Sequence, residues 1–107
     1  MIGVDIIKIS RVYNLQDDFP ERILSSDEYK RYLSFEDEEN KARFLATRWA
    51  SKEAYVKASG NKTIDFRKIS VMSDESGRPH LYVNGKECGE VSLSHDGYAI
   101  AVVLIKE

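Results

Sequence analysis

The sequence predicts an α+β fold, with an antiparallel sheet packed against one long and two or three short helices. Three observations carry that expectation. Residues 2–9 form a β-branched, apolar run. Residues 38–59 carry apolar side chains at helical spacing with no proline. Residues 68–105 alternate short apolar runs with turn dipeptides. One strand, then helices, then a train of strands is the order of an α+β chain. At 107 residues, a single domain spanning 1–107 is expected. A chain of this size buries only about two-thirds of its unfolded surface, so support from an oligomer interface is expected too.

Each element has its own signal. Residues 2–9, Ile-Gly-Val-Asp-Ile-Ile-Lys-Ile, read as a buried strand. Ser10 can cap a helix that starts at Arg11 and fades near Asp17-Asp18-Phe19-Pro20. Ser25 followed by Glu28 matches a capping box, which predicts a short helix over about 27–33. Within 38–59, Ala42, Leu45, Ala46, Trp49 and Val56 fall on one helical stripe, and Gly60 follows as a C-cap. Strands are expected at 68–73, 80–83, 91–94 and 98–105. They are separated by the turn Ser76-Gly77-Arg78-Pro79, by Asn84-Gly85 and by Asp96-Gly97.

Composition narrows the function. The net charge is −2 with both signs interspersed, which argues against a nucleic-acid partner, since those proteins carry a basic excess. The lone Cys88 excludes an internal disulfide and points to a reducing compartment, so a cytoplasmic location is expected. The start, Met1 to Asp5, lacks the basic, uninterrupted apolar pattern of a signal peptide. The longest apolar run, Tyr98 to Ile105, is too short to cross a bilayer, so no membrane association is expected.

Two acids occupy positions where acids are rare. Asp5 interrupts the first strand, and aspartate is depleted in strands. Glu53 falls in the centre of the apolar stripe, between Ala42 and Ala46 on the helical wheel and next to Trp49. A desolvated carboxylate needs a cation, hydrogen-bond donors or a proton. Two readings stay open. Glu53 can pair with Lys57 one turn on, with Asp5 capping a neighbouring helix. Alternatively, the two acids hold Mg²⁺, which proteins commonly bind through one or two carboxylates plus waters and substrate phosphates. Arg48, Lys52 and Lys57 surround Glu53 in sequence and suit a polyanionic substrate. Val91-Ser92-Leu93-Ser94-His95 places hydroxyls and an imidazole at a strand end. Asp96 adjoins His95 and would point the other way, so a Ser-His-Asp triad is not supported.

Three blocks in order resemble one family. They are Gly3-Val4-Asp5-Ile6 with Arg11, Arg48-Trp49-Ala50-Ser51-Lys52-Glu53-Ala54 with Lys57-Ala58, and Val91 to His95 before Tyr98-Ala99. With the Gly77-Arg78-Pro79 turn and the Phe19 to Leu24 segment, they make the chain similar to the holo-acyl-carrier-protein synthases, the small, single-domain 4′-phosphopantetheinyl transferases. One departure is the short segment from Gly60 to Asp65, where the family carries a longer glycine-rich loop.

The resemblance implies a reaction. The phosphopantetheine arm of coenzyme A passes to a serine of an acyl carrier protein, releasing adenosine 3′,5′-bisphosphate, in support of fatty-acid biosynthesis. It implies Mg²⁺ on Asp5 and Glu53, and Lys57 beside the departing nucleotide. Glu53 would accept the serine proton, directly or through a water. Coenzyme A contacts are implied at Arg48, Lys52, Lys57, Gly60, Gly77, Arg78, Pro79, Ser92 and His95. Carrier docking is implied at Arg11 and Arg22, with Arg43 contributing. A homotrimer with active sites at its subunit interfaces is also implied. No protein nucleophile is needed, and Cys88 lies outside every motif.

Overall fold

The structure is a computed structural model that describes residues 1–106. It contains strands β1 (Ile2–Lys8), β2 (Ile69–Ser73), β3 (Pro79–Val83), β4 (Lys86–Glu87), β5 (Glu90–His95) and β6 (Tyr98–Leu104), and helices α1 (Phe19–Ile23), α2 (Ser26–Ser34) and α3 (Glu38–Ser59). Short 3₁₀ helices cover Ile9–Asn14 and Phe66–Lys68. All strand pairs are antiparallel. The strands divide into two sheets, β1-β6-β5 and β2-β3-β4, where one sheet was expected.

Helix α3 lies across both sheets, packing on β1 and β6 and reaching β2. Its Ala46, Ala50, Ala54 and Ala58 join Ile7, Ile69, Val71, Leu81, Ala99, Ala101 and Val103 in the main core. Small residues on this face let backbones approach closely. A Cβ at Gly3 would meet the Ala54 carbonyl oxygen at 2.1 Å, so β1 touches α3 directly there. A second cluster, Ile23, Leu24, Phe44 and Leu45, closes under α1 and α2.

Four local expectations are corrected. The strand 2–9 was read as buried, but its side chains alternate. Gly3 and Ile7 face α3, whereas Ile2, Val4 and Ile6 are 54–67% exposed. Ser10 caps nothing: the segment from Ile9 is a 3₁₀ turn with no side-chain cap. Pro20 opens α1 rather than closing a helix, because proline's fixed φ suits the first turn. The stripe on α3 is wider than drawn, since Phe44, Thr47, Arg48, Ser51, Lys52 and Tyr55 are buried as well. The capping box at Ser25 and Glu28 is present in both halves, and Gly60 ends α3 in the left-handed conformation, φ 75°.

Candidate active site

Asp5 points from β1 toward α3, on the same face as Gly3 and Ile7. That places it opposite Glu53, one residue before the Gly3–Ala54 contact. Lys57 donates from Nζ to Asp5 Oδ1 at 3.0 Å and to the Val4 carbonyl at 3.1 Å. The lysine one turn beyond Glu53 therefore pairs with Asp5 instead of Glu53. Among the described residues Glu53 has no ion-pair partner. Partial burial pushes its carboxyl pKa upward, and the Asp5 carboxylate adds to the rise, against a smaller opposing pull from Lys57.

This donor set suits a hard divalent cation. Two carboxylates converge, one of them without a cationic partner. Among the described residues no group of three or more His, Cys, Asp or Glu side chains gathers; a cation held by these two carboxylates would take its other ligands from water or phosphate. Mg²⁺ is bound in this way, through few protein carboxylates and several non-protein oxygens.

Lys52 is placed differently from its expectation. It is fully buried, as is Glu28, with side chains 0% exposed. Its Nζ donates to Glu28 Oε1 at 2.7 Å, to the Phe66 carbonyl at 3.0 Å and to the Ile69 carbonyl. An ammonium has three N–H groups, and all three are engaged inside the protein, so a coenzyme A contact is not open to it. Arg48 is also drawn inward. Its Nε donates to the Val71 carbonyl at 3.0 Å and one Nη donates to Thr47 Oγ1 at 3.1 Å, while the guanidinium lies 4.1 Å from the Phe44 ring centroid. Burial lowers its pKa to about 10. Both cations thus cap the free edge of β2, whose Val71 N–H is taken by Glu28 Oε2 at 2.7 Å. The sequence places Glu28 in a capping box with Ser25 but does not show its pairing with Lys52 and β2. The available signal was a second line on the helix, Phe44, Ser51 and Tyr55 at i, i+7 and i+11, which showed that α3 buries more than one face.

The remaining predicted residues gather elsewhere. Gly77, Arg78, Pro79, Ser92 and His95 line one concavity between the β2–β3 turn and the β5–β6 pair. Asp5, Glu53 and Lys57 are not in it. They flank β1, at the opposite edge of that sheet from β5, about 10 Å away across β6. Gly60 is exposed at the end of α3, with open space where a Cβ would stand. Of the docking candidates, Arg11 lies over the Trp49 ring at 4.9 Å. Arg22 pairs with Asp18 at 3.6 Å and Arg43 with Glu39 at 3.9 Å. Arg43 also lines a concavity with Lys8, Ser10, Tyr13 and His95.

Comparison with known proteins gives a consistent result. Residues 1–103 match the family model described as the 4′-phosphopantetheinyl transferase superfamily. The chain is 41% identical over 113 aligned positions to the holo-[acyl-carrier-protein] synthase of Staphylococcus carnosus, covering 99% of this chain and 96% of that protein. It is similar to the crystal structure of a holo-(acyl-carrier-protein) synthase from Bacillus anthracis in complex with CoA (3′,5′-ADP), with a TM-score of 0.87 and 35% identity over 97% of this chain and 93% of that one. It is also similar to the Helicobacter pylori enzyme in complex with coenzyme A, with a TM-score of 0.82 and 29% identity over 99% of this chain and 100% of that one. By sequence over nearly its full length, the chain belongs to the holo-acyl-carrier-protein synthases of the 4′-phosphopantetheinyl transferase superfamily.

Proposed function

We infer that the chain transfers the 4′-phosphopantetheine arm of coenzyme A to a serine hydroxyl of an apo acyl carrier protein, in fatty-acid biosynthesis. The products are the holo carrier and adenosine 3′,5′-bisphosphate. The observation that carries this reading is the placement of Asp5, Glu53 and Lys57 together beside the edge strand β1. The whole chain, 1–107, acts as one transferase domain.

Asp5 and Glu53 would hold Mg²⁺, which supplies positive charge that offsets the charge building on the pyrophosphate oxygens. The chain's own groups do the rest. The carrier serine oxygen attacks the β-phosphorus, and the bond from that phosphorus to the bridging oxygen breaks. Glu53, with its carboxyl pKa raised, takes the serine proton. Lys57, already held at Asp5 and the Val4 carbonyl, faces the departing phosphate and stabilises its charge. The concavity lined by Gly77, Arg78, Pro79, Ser92 and His95 would take coenzyme A, with Gly60 bordering the substrate. Lys52 and Arg48 support α3 and β2 rather than the ligand.

The two halves of this set sit at opposite edges of one sheet, which favours a site completed by another copy of the chain. The outer face of that sheet supports this. Ile2, Val4 and Ile6 are in register with Leu104, Val102 and Ile100, and the face is apolar and largely exposed. Contiguous apolar patches of this kind mark association surfaces. A homotrimer with shared active sites accounts for both features. Arg11, Arg22 and Arg43 would dock an acidic carrier, so the Michaelis constant for the carrier should rise with salt. Among the described residues no helix is long and apolar enough to cross a membrane, and the proposed reaction fits a cytoplasmic setting. A titration of Mg²⁺ tests the metal reading. Transfer should rise with Mg²⁺ in the wild type and be lost in Asp5→Asn. Metal-independent transfer would overturn it.

A further inference from the structure

We propose that Glu28 and Lys52 are positioning residues that fix the rotation of α3 and so hold Glu53 toward Asp5. This deepens the proposed function and rests on the reading of Asp5 and Glu53 as the reacting pair. Lys52 precedes Glu53 by one residue, about 100° round the helix. Its ammonium is bonded to three elements other than its own: Glu28 on α2, the Phe66 carbonyl in the 3₁₀ turn and the Ile69 carbonyl on β2. Glu28 in turn accepts from the Ser25 N–H at 2.9 Å and from the Val71 N–H at 2.7 Å. The capping box, the edge of β2 and the helix therefore meet at one buried ion pair.

The residue on the other side of Glu53 is pinned too. Ala54 meets Gly3 with no space for a Cβ, which seats β1 against the helix beside Asp5. Glu53 lies between a side-chain anchor at 52 and a backbone anchor at 54. Stability alone does not account for the buried pair, since an apolar pair of similar volume is often as stable or more so. What the ions add is direction: three bonds from Lys52 to α2, the 3₁₀ segment and β2 fix the helix rotation, and the Ser25 and Val71 N–H groups fix Glu28 in turn.

The test compares the wild-type chain with the double variant Glu28→Gln/Lys52→Met, which removes both charges of the pair together, while the buried Arg48 keeps its bonds to the Val71 carbonyl and Thr47 Oγ1. Glu28→Gln alone is measured in parallel; it leaves the buried Lys52 ammonium without its counter-ion and should be less stable than the double variant. Cooperative thermal unfolding establishes that each variant folds. Binding of Mn²⁺, read from the electron paramagnetic resonance of the free ion, reports on Asp5 and Glu53 independently of turnover. The folded variants should bind Mn²⁺ about tenfold more weakly. Their kcat for carrier modification should fall by about 10- to 100-fold, with the KM for coenzyme A moved by less than about threefold. A folded variant with wild-type Mn²⁺ affinity and wild-type kcat would overturn the proposal. Weakened Mn²⁺ binding in the variants, with no carrier modification even by the wild type, would support the positioning role and reject the transferase reading instead.

Discussion

Lys52 and Glu53 are sequence neighbours with opposite surroundings. Lys52 is sealed among acceptors, whereas Glu53 stands at an open sheet edge beside a second carboxylate. In the proposed reaction Glu53 takes the serine proton. Glu53→Gln should therefore lower kcat by about 10²-fold or more while the chain still unfolds cooperatively, as steady-state kinetics and thermal melts can check. Gly3 faces α3 where a methyl group would collide with the Ala54 carbonyl. Gly3→Ala should cost about 3 kcal/mol in denaturant unfolding, the upper range for forcing extra volume into a packed contact. Asp5 and Glu53 were legible in the sequence because each breaks the hydropathy pattern of its element. Lys52 was not, because a wheel places it at the border of one stripe and carries no information about β2 or α2. Only the tertiary fold shows that this border is interior.

At the scale of elements, the clearest signals were local ones. The capping box, the αL glycine after α3 and the turn pairs are satisfied within a few residues, and all appear in the structure. Pro20 misled because proline suits both the end and the start of a helix, and the start is what the chain uses.

The β2–β3 hairpin has a clasp that no motif announced. His80 is held by Glu87 and Asp74, each at 2.8 Å, on its two ring nitrogens. Hydrogen bonds to Glu87 and then Asp74 raise the imidazole pKa above its ordinary 6.5. Protonation thus favours the folded chain. This contribution is complete below the unfolded pKa of about 6.5 and fades as the pH rises through the folded value. Asp74 is held well below its ordinary 3.8, by Ser76 first and then His80, so its contribution is complete above that value and is lost in acid. The Tm difference between wild type and His80→Gln should be greatest between about pH 4 and pH 6.5 and should narrow by about pH 9. A difference that grew with pH would contradict the clasp.

For the whole molecule, the fold class and the order of elements were readable from periodicity, while the exposure of β1 was not. An apolar strand reads as buried on both faces, yet here one face packs on α3 and the other, carrying Ile2, Val4 and Ile6, faces outward. In the proposed trimer that face meets neighbouring copies of the chain. Ile6→Lys should convert an associated species to monomer in sedimentation analysis and abolish transfer together with association. Monomeric wild-type protein with full activity would contradict a shared site.

The central claim is that Asp5, Glu53 and Lys57 move phosphopantetheine from coenzyme A to a carrier. It is tested most directly by incubating the chain with an apo acyl carrier protein, coenzyme A and a range of Mg²⁺ concentrations, then weighing the carrier by mass spectrometry. The account predicts a gain equal to one phosphopantetheine group, dependent on Mg²⁺ and absent with Glu53→Gln. A carrier of unchanged mass at every Mg²⁺ concentration would contradict it.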